Sequence, residues 1–497
     1  MKEIYYKSTR GEQHLVSAAE AILTGLAPDG GLFVPTYIPR LEQGLEKLVG
    51  LPYQELALQI IKPFLPDFSV EELRDCLARA YDEKFDTPQI APVVKHSGLY
   101  FLELFHGPTL AFKDLALAIL PHLLKVAVSK LKINKEVVIL TATSGDTGKA
   151  ALEGFAGVEG TKIIVFFPEH GVSEIQKRQM VTQKGENTYV IGIEGNFDDA
   201  QNGVKKIFAD PLLRARMASQ GLVFSSANSI NIGRLVPQIA YYFHAYQVLC
   251  ARGELEVGEE INFVVPTGNF GNILAGYYAK KMGLPVKKLI CASNDNKVLY
   301  DFIRTGVYDR RRDFVTTISP SMDILISSNL ERLLYLLCSE DTNWVKQLME
   351  ELSVRGVYVV PPEVLHALQV DFAGGYASEA ATRAAIKEVF RTSAYLLDPH
   401  TAVAYAVYQD YLQKTGDKQK TVILSTASPY KFARDVFCSI NDDCQEKDDF
   451  RLIKELYKLT GLKIPSVIEA LEYSPIRHQT VCRIEEMQNV VEKILSL

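Results

Sequence analysis

Several things are scarce in this chain. No run of about 18 apolar residues occurs, the length a bilayer-crossing helix needs, and residues 1–7 lack an apolar signal core. The sequence therefore predicts no membrane span. Cysteine is sparse: seven among 497 residues, at 76, 250, 291, 338, 438, 444 and 482. The number is odd and no Cys-x-x-Cys spacing occurs, so neither a disulfide framework nor a zinc cluster is expected. A reducing cytoplasm is the natural compartment. Basic residues are not in surplus: 54 Lys and Arg face 60 Asp and Glu, a net charge of −6. That balance argues against a nucleic-acid surface. The densest cationic run, Arg310-Arg311-Arg312, is flanked by Asp309 and Asp313 and reads as a solvated loop. There is no repeat period and no low-complexity segment, and nothing that speaks to oligomeric state.

What is present is an ordinary globular composition, 47% hydrophobic and 23% charged, long enough for two or three domains. Residues 1–95 read as a separate, mainly helical unit, with helical spacing over 17–26, 52–64 and 69–85 and a tight turn at Asp29-Gly30-Gly31. From residue 99 the pattern alternates between strands and helices. Apolar β-rich runs at 137–141, 161–167, 188–193, 222–224, 261–265, 288–292 and 421–425 predict parallel strands flanked by helices. About seven strands with a gap in the middle imply two α/β lobes around a cleft. The division is 1–95, then 96–430 with a smaller lobe at about 115–240, then a helical extension over 431–497.

Residues 105–114 organise the rest. Lys113 stands in a run containing Leu102, Leu104, Phe105, Leu110, Ala111, Phe112, Leu115, Ala116 and Leu117, with a Gly107-Pro108 turn upstream. A lysine among such neighbours loses hydration, its pKa falls, and its amine becomes the nucleophile that a Schiff-base lysine must be. The plain alternative is a helix-opening lysine that reaches to water and pairs with Asp114.

Three loops sit at predicted strand ends. Residues 141–148 (Thr-Ala-Thr-Ser-Gly-Asp-Thr-Gly) open a helix, whose N–H groups and dipole suit a carboxylate or phosphate. An ordinary turn capped by Ser144 or Asp146 is the alternative. Residues 266–272 (Pro-Thr-Gly-Asn-Phe-Gly-Asn) let the backbone approach an anion closely. They match neither a Walker loop nor a dinucleotide fingerprint, so a small phosphate monoester fits better than a nucleotide. Residues 425–432 (Ser-Thr-Ala-Ser-Pro-Tyr-Lys-Phe) put hydroxyls where open α/β sheets bind ligands, unless they only bond backbone.

Together these stretches resemble threonine synthase, a pyridoxal-phosphate enzyme family of the tryptophan-synthase-β type of fold. The likeness runs from Tyr6-Lys7-Ser8-Thr9-Arg10-Gly11 and residues 25–32, through 105–114, 142–148, 228–234 and 268–272, to 426–432. It implies that Lys113 bonds the cofactor pyridoxal 5'-phosphate. It implies further that Gly268, Asn269, Phe270, Gly271 and Asn272 grip its phosphate, and that Thr426 bonds the pyridine nitrogen. Ser144, Gly145, Asp146 and Thr147 match the loop that receives the substrate carboxylate. Two departures stand out: Ser428 occupies the place of a family histidine, and Lys149 that of a frequent serine.

The implied reaction turns O-phospho-L-homoserine and water into L-threonine and phosphate. A phosphate-bearing substrate needs cations of its own, and Lys149, Asn231 and Arg234 are the candidates, although Arg234 at a helix start can equally pair with a carboxylate. The rivals are a serine/threonine dehydratase-like β-eliminase and a non-catalytic descendant that only binds the cofactor.

Overall fold

The computed structural model describes residues 3–497 apart from Ser144, Gly171, Asp442, Lys447 and the side chain of Asp198. Among the described residues, two sheets dominate. The larger has six strands in the spatial order Phe372–Tyr376, Val286–Ser293, Ile261–Pro266, Thr421–Ser425, Leu99–Glu103, Val93–His96. All its pairings are parallel except the last hairpin. The smaller has five parallel strands in the order Thr480–Cys482, Thr188–Ile193, Thr161–Pro168, Glu136–Ala142, Leu222–Ser225. This is the two-lobed, helix-flanked α/β architecture that the alternating pattern implied.

All seven strands read from the sequence are present, and four more complete the sheets. The added ones lacked a signal for physical reasons. In Phe372–Tyr376 two glycines stand where β-branched residues are usual. A Cβ on Gly375 would sit 2.4 Å from Val407, so glycine admits the Pro399–Thr415 helix close to the sheet. Val93–His96 and Leu99–Glu103 are joined by Ser97 and Gly98, both at positive φ, with polar residues interrupting the apolar run.

Two expectations about the tail need correction. Residues 431–497 are not purely helical, because Thr480–Cys482 adds to the smaller sheet beside Thr188–Ile193. Three residues, two of them exposed, leave no period to read. Cysteine pairing also occurs: Cys438 and Cys444 are joined, six residues apart, across the end of the Ala433–Ile440 helix. An odd cysteine count does not forbid one local bridge.

The N-terminal unit packs as part of one core. Its buried side chains, among them Tyr6, Leu56, Ile60, Leu77 and Tyr81, join a single apolar cluster with the 232–251 helix and both sheets. Tyr81 donates to the Leu115 carbonyl at 2.6 Å, directly behind the Lys113 stretch. The Ile232–Ala251 helix is buried nearly all round, which is why its sequence shows no polar face. No helix among the described residues is long and apolar enough to cross a membrane.

Candidate active site

Strand Leu99–Glu103 delivers the chain into a tight loop that ends at Lys113. Asp114 closes this loop: its carboxylate accepts the Thr109 N–H at 2.8 Å and the Thr109 hydroxyl at 2.5 Å. Burial pushes the Asp114 carboxyl up to about 6, against the pull of those two bonds. A Cβ on Gly107 would lie 2.6 Å from Asp114, so glycine is required there. Leu110 adopts φ 61°, a left-handed conformation costly for a bulky residue, and such strain gathers at functional sites. The loop is laced to the last strand of the sheet. Phe112 N–H donates to the Thr426 carbonyl (2.8 Å) and Ser428 N–H to the Leu110 carbonyl (3.0 Å).

Lys113 is therefore not paired with Asp114. Its Nζ lies 3.7 Å from Asp146 Oδ2, 3.4 Å from Ser321 Oγ and 4.8 Å from the centre of the Phe112 ring. Burial pulls the Lys113 amine down to about 8, helped by the nearby charges of Lys431 and Arg234 and opposed by Asp146. An amine with that pKa is available as a nucleophile near neutral pH.

The 266–272 loop opens the Gly271–Met282 helix. Phe270, buried at its N-cap, has φ 63°, a second strained non-glycine residue in an expected site loop. Gly268 cannot carry a side chain, since a Cβ would meet the Ser321 carbonyl oxygen at 2.4 Å. The Asn269 carbonyl accepts from both N–H and Nδ2 of Asn329 (3.0 Å each), and Ser327 Oγ donates to the Gly268 carbonyl at 2.7 Å. Asn269 itself is exposed. Asn272 is buried; its Oδ1 is within 2.6 Å of Tyr241 OH and 2.9 Å of Tyr242 OH, while its Nδ2 has no partner among the described residues. Thr426 is buried at the end of strand Thr421–Ser425, its N–H donating to Thr401 Oγ1 at 3.3 Å.

On the smaller sheet the residues singled out divide. Asp146 starts the Asp146–Phe155 helix and turns toward Lys113. Its Oδ1 meets Lys431 Nζ at 2.8 Å and accepts from Gln176 Nε2 at 2.9 Å; its Oδ2 accepts from Ser321 Oγ at 3.0 Å. Burial alone would raise this carboxyl, but Lys431 and Lys113 hold it well below the usual range. Gly145 has φ 130° and abuts the Gln176 amide; Thr147 is half-buried on the first turn of the helix. Ser144 lies outside the described residues.

The three phosphate candidates meet three different fates. Arg234 is buried and forms no ion pair with a carboxylate among the described residues: its Nη1 donates to the Ala227 carbonyl at 2.5 Å, and its Nε has no partner among them. Burial lowers its pKa to about 10, and its charge acts on Lys113. The alternative of Arg234 pairing with a carboxylate is thus not what the fold adopts. Lys149 is the reverse. Its ammonium is held by Glu153 at 2.8 Å and by Gln183, on the flank of the helix. Asn231 is spent on structure: Oδ1 caps the Ile232–Ala251 helix through Gly233 N–H (2.9 Å), and Nδ2 donates to the carbonyls of Ile22 and Ser226 (2.9 Å each). Lys149 and Asn231 thus already carry bonds within the fold, and any contact of theirs to a ligand is made beside or in place of those bonds.

Sequence reasoning passed over four residues here: Lys431, Ser321, His400 and Asp398. Lys431 is fully buried and bonds Asp146 and the Thr109 carbonyl (2.8 Å each). It carried the same signal as Lys113, a lysine in a run of small and apolar residues. Asp398 caps the Pro399–Thr415 helix and bonds His400 Nδ1 at 2.8 Å, while His400 Nε2 accepts the Ser321 N–H at 3.1 Å. Asp398-Pro399 announced a helix start, but no local pattern ties that start to Ser321, 79 residues earlier.

The arrangement fits a phosphate-bearing aldehyde cofactor. It offers a buried lysine of lowered pKa and a helix N-terminus behind glycines that admit no side chain. One buried donor there, Asn272 Nδ2, has no partner among the described residues. Fold and site thus define a pyridoxal-phosphate-dependent enzyme, and the family profile described as "Pyridoxal-phosphate dependent enzyme" matches residues 85–427. Two further profiles, "Threonine synthase N terminus" over 5–81 and "Threonine synthase, C-terminal" over 401–490, narrow this. The chain belongs to the threonine synthase family, and its cofactor is pyridoxal phosphate. It is 36% identical to threonine synthase of Saccharomyces cerevisiae over 92% of this chain and 93% of that one. It is 43% identical to threonine synthase-like 1 of Pongo abelii over 85% of this chain, and spans only 58% of that relative's length. The crystal structure of pyridoxal-phosphate-bound threonine synthase from Brucella melitensis superposes with a TM-score of 0.86 at 36% identity, covering 99% of this chain and 98% of that one.

Proposed function

We propose that this chain is a threonine synthase, converting O-phospho-L-homoserine and water into L-threonine and inorganic phosphate. The observation that carries this reading is Arg234: a buried guanidinium close enough to Lys113 to depress its pKa, with an Nε that has no partner and no carboxylate paired to it among the described residues. An uncompensated buried cation is costly unless an anion arrives to pair with it. Lys113 and Lys431 both face the carboxylate of Asp146, and the charge of Arg234 reaches Lys113, so three cations act on one another at a centre suited to a phosphorylated substrate.

In this reading Lys113 bonds the cofactor, then holds and moves protons at the substrate Cα and Cβ. Residues 268–272 hold the cofactor phosphate, and Thr426 bonds the pyridine nitrogen. Backbone N–H groups of residues 144–147 receive the substrate carboxylate, with Asp146 aiming Lys113. Arg234 takes the substrate phosphate as it leaves Cγ. When bound, pyridoxal phosphate supplies the electron sink that stabilises carbanionic character at the substrate carbons. Residues 1–95 are read as a family-specific unit that backs the Lys113 loop. Residues 96–430 form the catalytic region, with its smaller lobe near 115–240, and 431–497 an extension that finishes the smaller sheet. A cytoplasmic setting suits the five cysteines left unpaired.

The deciding measurement is paired release of phosphate and formation of threonine from phosphohomoserine, with homoserine and serine as controls. Equal yields of phosphate and threonine are expected. Keto-acid and ammonia formed from serine, without threonine from phosphohomoserine, would mark a β-eliminase instead.

A further inference from the structure

The segment around Pro320–Met322 reaches four parts of the site at once, although nothing in its sequence marks it. Ser321 Oγ lies 3.4 Å from Lys113 Nζ on one side and 3.0 Å from Asp146 Oδ2 on the other. Its carbonyl oxygen is the atom that forbids a side chain at Gly268 in the phosphate loop. Its N–H donates to His400 Nε2 at 3.1 Å. One residue thus touches the lysine loop, the smaller lobe, the glycine loop and the start of the Pro399–Thr415 helix.

Its placement is anchored from two directions. His400 is buried, and its Nδ1 bonds Asp398, which itself caps the helix that carries both. Because Nε2 accepts from Ser321, Nδ1 is the nitrogen that donates to Asp398, and the two bonds fix the orientation of the ring. On the other flank, Asn294 and Asn296 both bond Asp323 Oδ1 (2.7 and 3.0 Å), and Asp323 Oδ2 accepts the Thr317 N–H at 3.0 Å. The turn is therefore a held element inside the cleft.

We propose that Ser321 is a further residue of the active site, its hydroxyl a bridge that aims the Lys113 amine, with His400 and Asp398 as the positioning pair behind it. This rests on the reading of Lys113 as the cofactor-bonding lysine. The bonding pattern explains why serine suits the role. The hydroxyl hydrogen is committed to Asp146, which leaves an oxygen lone pair to accept from Lys113 in either its amine or its ammonium form. A lysine has four rotatable side-chain bonds, and a fixed acceptor narrows the directions its nitrogen can take.

The test compares Ser321→Ala, Ser321→Thr, His400→Leu and His400→Gln with the wild type. Two rates are read: capture of pyridoxal phosphate by the apoprotein, followed by its visible band, and turnover of the holoenzyme on phosphohomoserine. Ser321→Ala is expected to slow capture and kcat by about tenfold, with KM within about twofold of wild type. Ser321→Thr, which keeps the hydroxyl, restores both rates. His400→Leu reproduces the alanine pattern, whereas His400→Gln, which retains an acceptor for the Ser321 N–H, falls between. Wild-type capture and kcat in Ser321→Ala would overturn the proposal. So would a parallel fall of melting temperature, cofactor affinity and rate, which marks a merely structural residue. If the wild type captures the cofactor yet makes no threonine, the functional reading fails alone, and the capture rates still decide the role of Ser321.

Discussion

The two sheets contribute to the cleft in different ways. The six-stranded sheet supplies backbone: the Lys113 loop, the 268–272 loop and Thr426 are placed by main-chain bonds and by glycines that admit no side chain. The five-stranded sheet and the helices after its strands supply side chains: Asp146 and Gln176 are defined by the partners they find, and Arg234, on the Ile232–Ala251 helix, by a donor left without one among the described residues. The residues singled out on the first side all lie on loops at the ends of that sheet's strands. On the second side two of them, Lys149 and Asn231, are consumed by bonds elsewhere. A loop whose function lies in its backbone keeps that function wherever its turn is kept. A charged side chain performs only what its neighbours leave free.

The sharpest break of this comparison is at Lys113. Lys113→Ala is expected to abolish turnover with the fold retained, because Asp146 keeps Lys431 as its partner. Borohydride treatment of the wild type followed by peptide mapping should place the cofactor on Lys113; a reduced adduct on Lys431 would reassign the role.

Next in size is the contrast between two cations of the second side. Arg234→Gln should cost roughly tenfold or more in kcat/KM, since charge-assisted contacts are worth about 1.5–3 kcal/mol. Lys149→Ala should leave kcat/KM within about threefold and act mainly on stability, through the loss of its bond to Glu153. Inorganic phosphate should inhibit the wild type and the Lys149 variant alike and inhibit the Arg234 variant less. The reverse order would return Lys149 to the site.

A smaller effect is expected at Thr426. Thr426→Val removes the hydroxyl at almost constant volume and leaves untouched the backbone bond that Phe112 makes to its carbonyl. A shifted visible band and a several-fold fall in turnover are expected, with cofactor still held. A silent Thr426→Val beside a spectral change in Ser428→Ala would move the role to Ser428.

The smallest effect is a pH dependence in the lysine loop. His106 lies between Asp86 Oδ1 (2.5 Å) and Glu103 Oε2 (3.0 Å); burial disfavours its charge, yet the two carboxylates raise its pKa to about 9. Its folded value therefore exceeds the ordinary 6.5. The stability it adds is complete below about pH 6.5 and disappears as pH rises through about 9. Urea midpoints measured across that range should fall in the wild type and flatten in His106→Gln. A flat wild-type profile would remove the ion pairs from the account.

The sequence by itself determined the two-lobed α/β plan, the strand-end loops and the lysine at their centre. These follow from short-range causes: apolar β-rich runs, glycines at turns, and a lysine among apolar neighbours. It also carried the N-terminal and C-terminal motifs by which the family is known. Only the tertiary structure decided the rest. It gave Lys149 the partners Glu153 and Gln183, made Asn231 a helix cap, and left Arg234 Nε without a partner among the described residues. It brought Lys431, Ser321 and His400 to Lys113 and Asp146 from segments far apart in the chain. Backbone conformation is written in neighbours along the chain, whereas the fate of a polar side chain depends on which partner reaches it first in space, and no local pattern records that.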